Sequence, residues 1–185
     1  MEISSGAELG RRMKYRLTQN NESYVIDLIN KGLIGREDIC NQFYEDNRFA
    51  YRFAMNHKKY RDFILYFMHE SKWVYRWAQK MGNRDALKYR ICDEKYAFLW
   101  ANEIGDHLTM VNEIKSPEWA YRWGKSVGNR KRMKECVKKD PFFATEWAYD
   151  IGDIEEMKLA VKEKGSKIDI LRWNRILSRN SIVSF

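Results

Sequence analysis

Between residues 119 and 165 the chain states one short phrase twice. The run WAYRWGKSVGNRKRMKECVKKDP, from Trp119, is followed by FATEWAYDIGDIEEMKLAVKEKG, from Phe143. Each phrase holds two aromatics four apart, a small residue after each of them, a Gly followed by Asn or Asp, and then Met and Val four apart. Earlier copies begin at Phe49, Trp73 and Tyr96, so consecutive starts from Phe49 to Phe143 lie 24, 23, 23 and 24 residues apart. The second aromatic recurs at Phe53, Trp77, Trp100, Trp123 and Trp147. A degenerate first copy opens near Tyr24, with Tyr24 and Leu28, then Ile39 and Phe43, at the same four-residue separation. A unit this short cannot close a core of its own, so a sustained period of this length predicts stacked copies that share one.

Within a copy, apolar or small residues take relative positions 1, 2, 5, 6 and 9, as in Trp73, Val74, Trp77, Ala78 and Met81. At about 100° per residue these cover one side of a helix. Position 6 is always small (Ala54, Ala78, Ala101, Gly124, Ala148), which would admit a neighbouring helix close beside the bulky ring. Gly82, Gly105, Gly128 and Gly152 then end the helix, since glycine accepts a left-handed conformation at little steric cost. Asn83, Asp106, Asn129 and Asp153 follow at once as N-cap residues for a second helix. That second helix carries only a narrow stripe: Leu87 and Ile91, Met110 and Ile114, Met133 and Val137, Met157 and Val161. The next unit opens at Ser116-Pro117 or Asp140-Pro141, where a capping side chain precedes a proline whose missing donor costs nothing at the first helical position. Asn47, Ser71, Asp93 and Ser166 take that place in the other units, and between Phe49 and Ser71 the run His57-Lys58-Lys59 stands where a glycine turn is expected.

The expected fold is therefore all-α: a right-handed α-solenoid of about six short helix-turn-helix repeats, with a C-terminal capping helix over IDILRWNRIL. Three segments are expected: a flexible polar N-terminal arm at 1–22 with one short helix over residues 9–17, a repeat domain at 23–178, and a tail at 179–185. This combination of aromatic-Ala pairs, Gly-Asn or Gly-Asp turns and Met/Val stripes resembles a class of 23–25-residue helical-hairpin repeats found in bacterial, protist and viral proteins. More loosely it is similar to HEAT-type α-solenoids. The resemblance implies an extended binding surface and brings no catalytic residue with it.

The 34 basic residues exceed the 26 acidic ones by eight, a balance that favours anionic partners. Cys40, Cys92 and Cys136 show neither CxxC nor Cys/His ligand spacing, so a reduced cytoplasmic protein with buried thiols is expected. No apolar run follows Arg11 and Arg12, which excludes a signal peptide or a membrane span by pattern. A surplus of Ile, Lys, Asn, Phe, Tyr and Met beside two prolines fits an AT-rich genome such as that of many phages.

Two groups of residues could form a binding surface. Arg52, Arg76 and Arg122, with Arg172, share the position before the second aromatic, beside Tyr51, Tyr75 and Tyr121. They make either a ladder for single-stranded nucleic acid or a set of tyrosines closing the core with arginines reaching out of it. The second group is the basic helix with Arg130, Lys131, Arg132, Lys134, Lys138 and Lys139, joined by Arg84, Lys88 and Arg90 from an earlier unit into a positive stripe. Glu155, Glu156 and Glu163 would interrupt it. His57, His69 and His107 form no metal pair at helical spacing, and no nucleotide loop or nucleophile motif appears, so neither metal nor cofactor is expected. The leading expectation is a non-catalytic binding protein, adaptor or inhibitor, that engages a protein partner with an acidic surface. The alternative is a nucleic-acid-binding module using the basic second helices. A solenoid-type DNA glycosylase, with Asp85 or Glu118 as its carboxylate, stands behind both.

Overall fold

The structure, a computed structural model, describes residues 22–33, 35 and 37–181. The expected polar arm up to residue 21, with its helix over residues 9–17, and the last four residues of the expected tail lie outside the described residues. All regular secondary structure among the described residues is helical. The chain divides into two compact units, Met1–Asn83 and Arg84–Phe185.

In the first unit, α1 (Glu22–Asn30) and α2 (Glu37–Glu45) form the degenerate copy. Of the expected pair on α1, Leu28 is buried and Tyr24 is exposed, its inward place being taken by Val25, one residue on. Ile39 and Phe43 of α2 are buried as expected. The next helix, α3 (Asn47–Asn56), packs on α2, on α4 (Arg61–Leu65) and on α5 (Ser71–Lys80). At the copy without a glycine turn, His57 closes α3 by donating its N–H to the Phe53 carbonyl, and a 3-10 turn at Lys58–Tyr60 leads into α4. Tyr60, which the repeat pattern does not mark, is buried there.

The second unit holds α6 (Arg84–Leu87), α7 (Glu94–Glu103), α8 (His107–Met110), α9 (Pro117–Ser126), α10 (Arg130–Val137), α11 (Pro141–Asp150), α12 (Ile154–Lys164) and α13 (Lys167–Ser181). The hairpins α7/α8, α9/α10 and α11/α12 follow one another, and each first helix touches the next, α7 on α9, α9 on α11 and α11 on α13. Helices α6 and α8 last one turn and pass into 3-10 turns at Lys88–Arg90 and Val111–Glu113. The final helix continues to Ser181, past the end expected at residue 177.

Burial follows the repeat. The second aromatics Phe53, Trp77, Trp100, Trp123 and Trp147 are all at most 1% exposed, and every Met/Val-type stripe of the second helices is buried. A Cβ at Gly124 would overlap the Trp147 ring, so the small position 6 is what lets α11 lie against α9. First helices also meet through rings: Tyr51 on Trp73 at 5.5 Å, Phe98 on Trp119 at 5.6 Å and Tyr121 on Phe143 at 6.1 Å between centroids. Such tilted pairs are favourable beyond the area they bury.

The turns depart from the expected capping. Asn129 and Asp153 make no side-chain cap bond, because each follows its glycine into the left-handed region, with φ of 48° and 57°. Asn and Asp tolerate that region better than other side chains, and two successive left-handed residues reverse the chain. Asp106 alone behaves as a cap of this set, accepting from the Thr109 N–H at 3.2 Å. The caps of the first helices also sit one residue earlier than expected at α3, where Asp46 accepts from the Phe49 N–H at 2.8 Å. Asn47 is thereby the first helical residue and is fully buried. Cys92 is exposed and Cys40 and Cys136 are half-buried, which corrects the expectation of buried thiols. None of the described helices is long and apolar enough to cross a membrane.

Candidate functional site

The arginines before the second aromatic are occupied, Arg52, Arg76 and Arg122 by rings of their own helices and Arg172 by α11. Arg76 lies over the Trp73 ring at 4.8 Å, Arg122 over Trp119 at 4.7 Å and Arg52 over Phe49 at 5.9 Å. Each ring sits three residues earlier, the spacing at which helical side chains meet. Arg122 also pairs with Glu118 at 2.8 Å, and Arg172, over the Phe142 ring, pairs with Glu146 at 2.6 Å. Tyr75 is buried and Tyr51 and Tyr121 are half-buried. This geometry is that of tyrosines closing the core with arginines stacked at its edge.

The basic second helices divide into two sets. In the first, the cations hold neighbouring copies together. Lys88 lies 3.3 Å from Asp106 of the next hairpin and 3.3 Å from Asp85. Lys134 reaches Glu156 at 2.7 Å and Asp153 at 3.5 Å on the following hairpin, and Lys138 binds Glu135 at 2.8 Å and Glu156 at 2.9 Å. The bonds from Lys134 and Lys138 hold the Glu156 carboxyl below the ordinary glutamate range. Burial works to raise Asp106, yet bonds from Thr109 and Lys88 outweigh it and keep that carboxyl low too. Arg130 donates its Nε–H to the Gly124 carbonyl at 3.2 Å, as Arg61 does to Ala54 at 2.9 Å, satisfying a carbonyl near the end of each preceding helix.

The second set points outward. Lys131 is exposed on α10 and Lys139 in the turn that follows it, and Arg132 spends one Nη1–H on Asn112 at 2.8 Å, leaving further donors of its fork. Arg132 and Lys139 border a groove of about 260 Å³ whose floor is Ile114 and Met133 and whose far rim is Lys115. Lys115 was not marked by the repeat pattern, since it lies in the irregular link after the Val111–Glu113 turn. The carboxylates nearby are engaged: Glu135 with Lys138, and Glu113 with Lys115 at a long 3.9 Å. Cys136 opens on the same groove and donates its thiol proton to the Lys115 carbonyl at 2.8 Å. Burial pushes that thiol above its ordinary range against the opposing pull of Lys139. Arg84 is exposed and Arg90 half-buried, and neither borders this groove.

Asp85 is fully exposed beside Lys88, and Glu118 is taken up by Arg122. Among the described residues no group of three or more His, Cys, Asp or Glu is placed to hold a metal ion. His57 lies 3.4 Å from Glu22, His69 stacks on Tyr44 at 4.5 Å, and His107 meets Trp123 edge-on at 6.5 Å. Neither a family model, nor a curated protein, nor a solved structure matches the chain.

Proposed function

We propose that the chain is a non-catalytic binding protein, an adaptor or inhibitor, that engages an acidic surface of a protein partner from the α10 side of its second unit. The observation that carries this reading is the division of the cations. Lys88, Lys134 and Lys138 are spent between copies, whereas Lys115, Arg132 and Lys139 line one groove with an apolar floor, and Lys131 is exposed on the helix beside it. A local cluster of this kind matches an acidic patch on a protein and steers its approach. The four cations Lys115, Lys131, Arg132 and Lys139 are fewer than the six to ten phosphate contacts of a strongly salt-dependent nucleic-acid binder. The likeness to hairpin-repeat arrays, which present extended faces to large partners, supports the same reading.

Affinity capture from the source lysate, with and without nuclease, tests it against the nucleic-acid alternative. A stoichiometric protein retained after nuclease, and lost from the Lys131→Glu/Arg132→Glu/Lys139→Glu variant, is the expected result. Retention of nucleic acid alone, released at high salt, replaces the proposal with the alternative.

A further inference from the structure

We infer that the groove beside α10 receives a short extended acidic segment of the partner, with one apolar side chain seated over Ile114 and Met133 and flanking carboxylates on Lys115, Arg132 and Lys139. The inference rests on the reading of the chain as a protein-binding module and names what its site takes. Three features choose this occupant. At about 260 Å³ the groove lies below the 300–1,000 Å³ usual for cofactor and small-molecule pockets, and suits one anchoring side chain instead. Its polar rim is made of donors: the ammonium groups of Lys115 and Lys139 and the remaining Arg132 guanidinium N–H groups. Its one lining carboxylate, Glu135, is held by Lys138, and the Lys115 carbonyl already accepts from Cys136. A ligand here must bring acceptors, and carboxylates match a guanidinium fork. Finally, none of the lining residues is aromatic, so a nucleobase would find no ring to stack on.

Cys136 reports occupancy from within the groove. In a Cys40→Ser/Cys92→Ser variant the remaining thiol is half-buried and mainly protonated at neutral pH, so its alkylation is slow and sensitive to cover. The probe is a synthetic peptide of sequence Asp-Glu-Leu-Asp-Glu with a fluorescent label, compared with its Asp-Glu-Ala-Asp-Glu analogue and with an oligothymidylate. The leucine peptide is expected to bind, to slow Cys136 alkylation, and to lose about tenfold in affinity with alanine at its centre or with Arg132→Glu/Lys139→Glu in the protein, as expected for loss of one buried anchor or of close charge pairs. Circular dichroism of the double variant confirms that the helices remain.

Protection of Cys136 by the oligonucleotide and not by the peptide overturns the inference. So does a peptide that binds without protecting the thiol. If prior alkylation of Cys136 with a bulky reagent leaves captured partner in place while the charge-reversal variant releases it, the groove is not the seat, yet the protein-binding reading stands. If neither peptide nor any acidic protein is held, both fall together.

Discussion

Gly124 shows how far one methyl group constrains this chain. In an exposed helix Ala is preferred to Gly by about 1 kcal/mol, so propensity alone favours Gly124→Ala. The added Cβ, however, would overlap the ring of Trp147, which is completely buried and has no free direction to retreat. Overpacking of this kind typically costs about 1–3 kcal/mol, which offsets or exceeds the propensity gain. Urea denaturation of Gly124→Ala is therefore expected to show a net loss of up to about 2 kcal/mol, and a variant more stable than the parent by the full propensity gain would mean that α9 and α11 do not lie this close. Trp147 differs from its equivalents in a second way. Its indole N–H donates to Asp153 at 3.1 Å, whereas the buried Nε1 groups of Trp77, Trp100 and Trp123 have no partner among the described residues. Asp106, in the same register for Trp100, is drawn instead to Thr109 and Lys88.

Between elements, a bond that the repeat pattern does not announce joins the start of one first helix to the start of the next. In the first unit Asn47, buried at the opening of α3, accepts from the His69 and Glu70 N–H groups at 2.7 and 2.9 Å. Its amide donates to the Phe43 and Phe67 carbonyls at 3.1 Å each. In the second unit Glu94, at the same point of α7, accepts from the Ser116 N–H at 3.0 Å and hydroxyl at 2.6 Å. Asn47→Ala would take the partner from the buried Phe43 carbonyl, at about 1–3 kcal/mol if left unsatisfied, and from the part-buried groups of Phe67, His69 and Glu70, which water can reach at smaller cost. Asn47→Asp is expected to do no better, because its second oxygen would face the carbonyls of Phe43 and Phe67. Hydrogen exchange at the His69 and Glu70 amides is the direct measurement; unchanged protection in Asn47→Ala would show the contact to be idle. This bond also marks where sequence reasoning stops. The period, the glycine turns, the small sixth position and the buried stripes are local patterns and could be read from residue types. The Asn47 and Glu94 bonds, the Lys134–Glu156 and Lys88–Asp106 pairs, and Lys115 at the groove depend on which residues become neighbours about 20 positions away. That neighbourhood is set by stacking register, and no single copy contains it. The capping of α13 lay within reach: Ser166 and Asp169 form a reciprocal pair, with the Ser166 N–H and hydroxyl each 2.7 Å from the Asp169 carboxylate and the Asp169 N–H returning to Ser166 at 3.3 Å.

At the scale of the whole molecule, an excess of eight positive charges coexists with cations that serve as internal fasteners. The acidic members of these pairs set the response to pH. Burial alone would raise the Asp106 and Asp150 carboxyls, but bonds from Thr109 and Lys88 in one case, and from Lys125 and Tyr121 in the other, hold both below the ordinary aspartate range. Glu156 is held low by Lys134 and Lys138, and Asp169 by Ser166. A carboxyl depressed in the folded chain binds its proton less readily than in the unfolded chain. Its contribution is therefore complete above the unfolded value of about 4 and is lost as pH falls through the lower, folded value. The partner amines have the opposite sense: bonds to their carboxylates raise Lys88, Lys125, Lys134 and Lys138, so their share is complete below an unfolded value of about 10.4 and disappears as pH rises through the folded one. Stability should be level from about pH 5 to about pH 9 and fall on both sides, more steeply in acid, where 34 uncompensated basic residues also repel one another. All four depressed carboxyls belong to the second unit, which carries Trp100, Trp119, Trp123, Trp147 and Trp173, so tryptophan emission follows the part of the chain that titrates. Glu156→Gln isolates the effect: it should be less stable than the parent to urea at pH 7, and the two should converge below the folded pKa of Glu156, once the parent's carboxyl is also neutral. A gap between them that persists undiminished at pH 2.5 would assign the loss to packing at that position and remove the ion pairs from the account of what fastens one hairpin to the next.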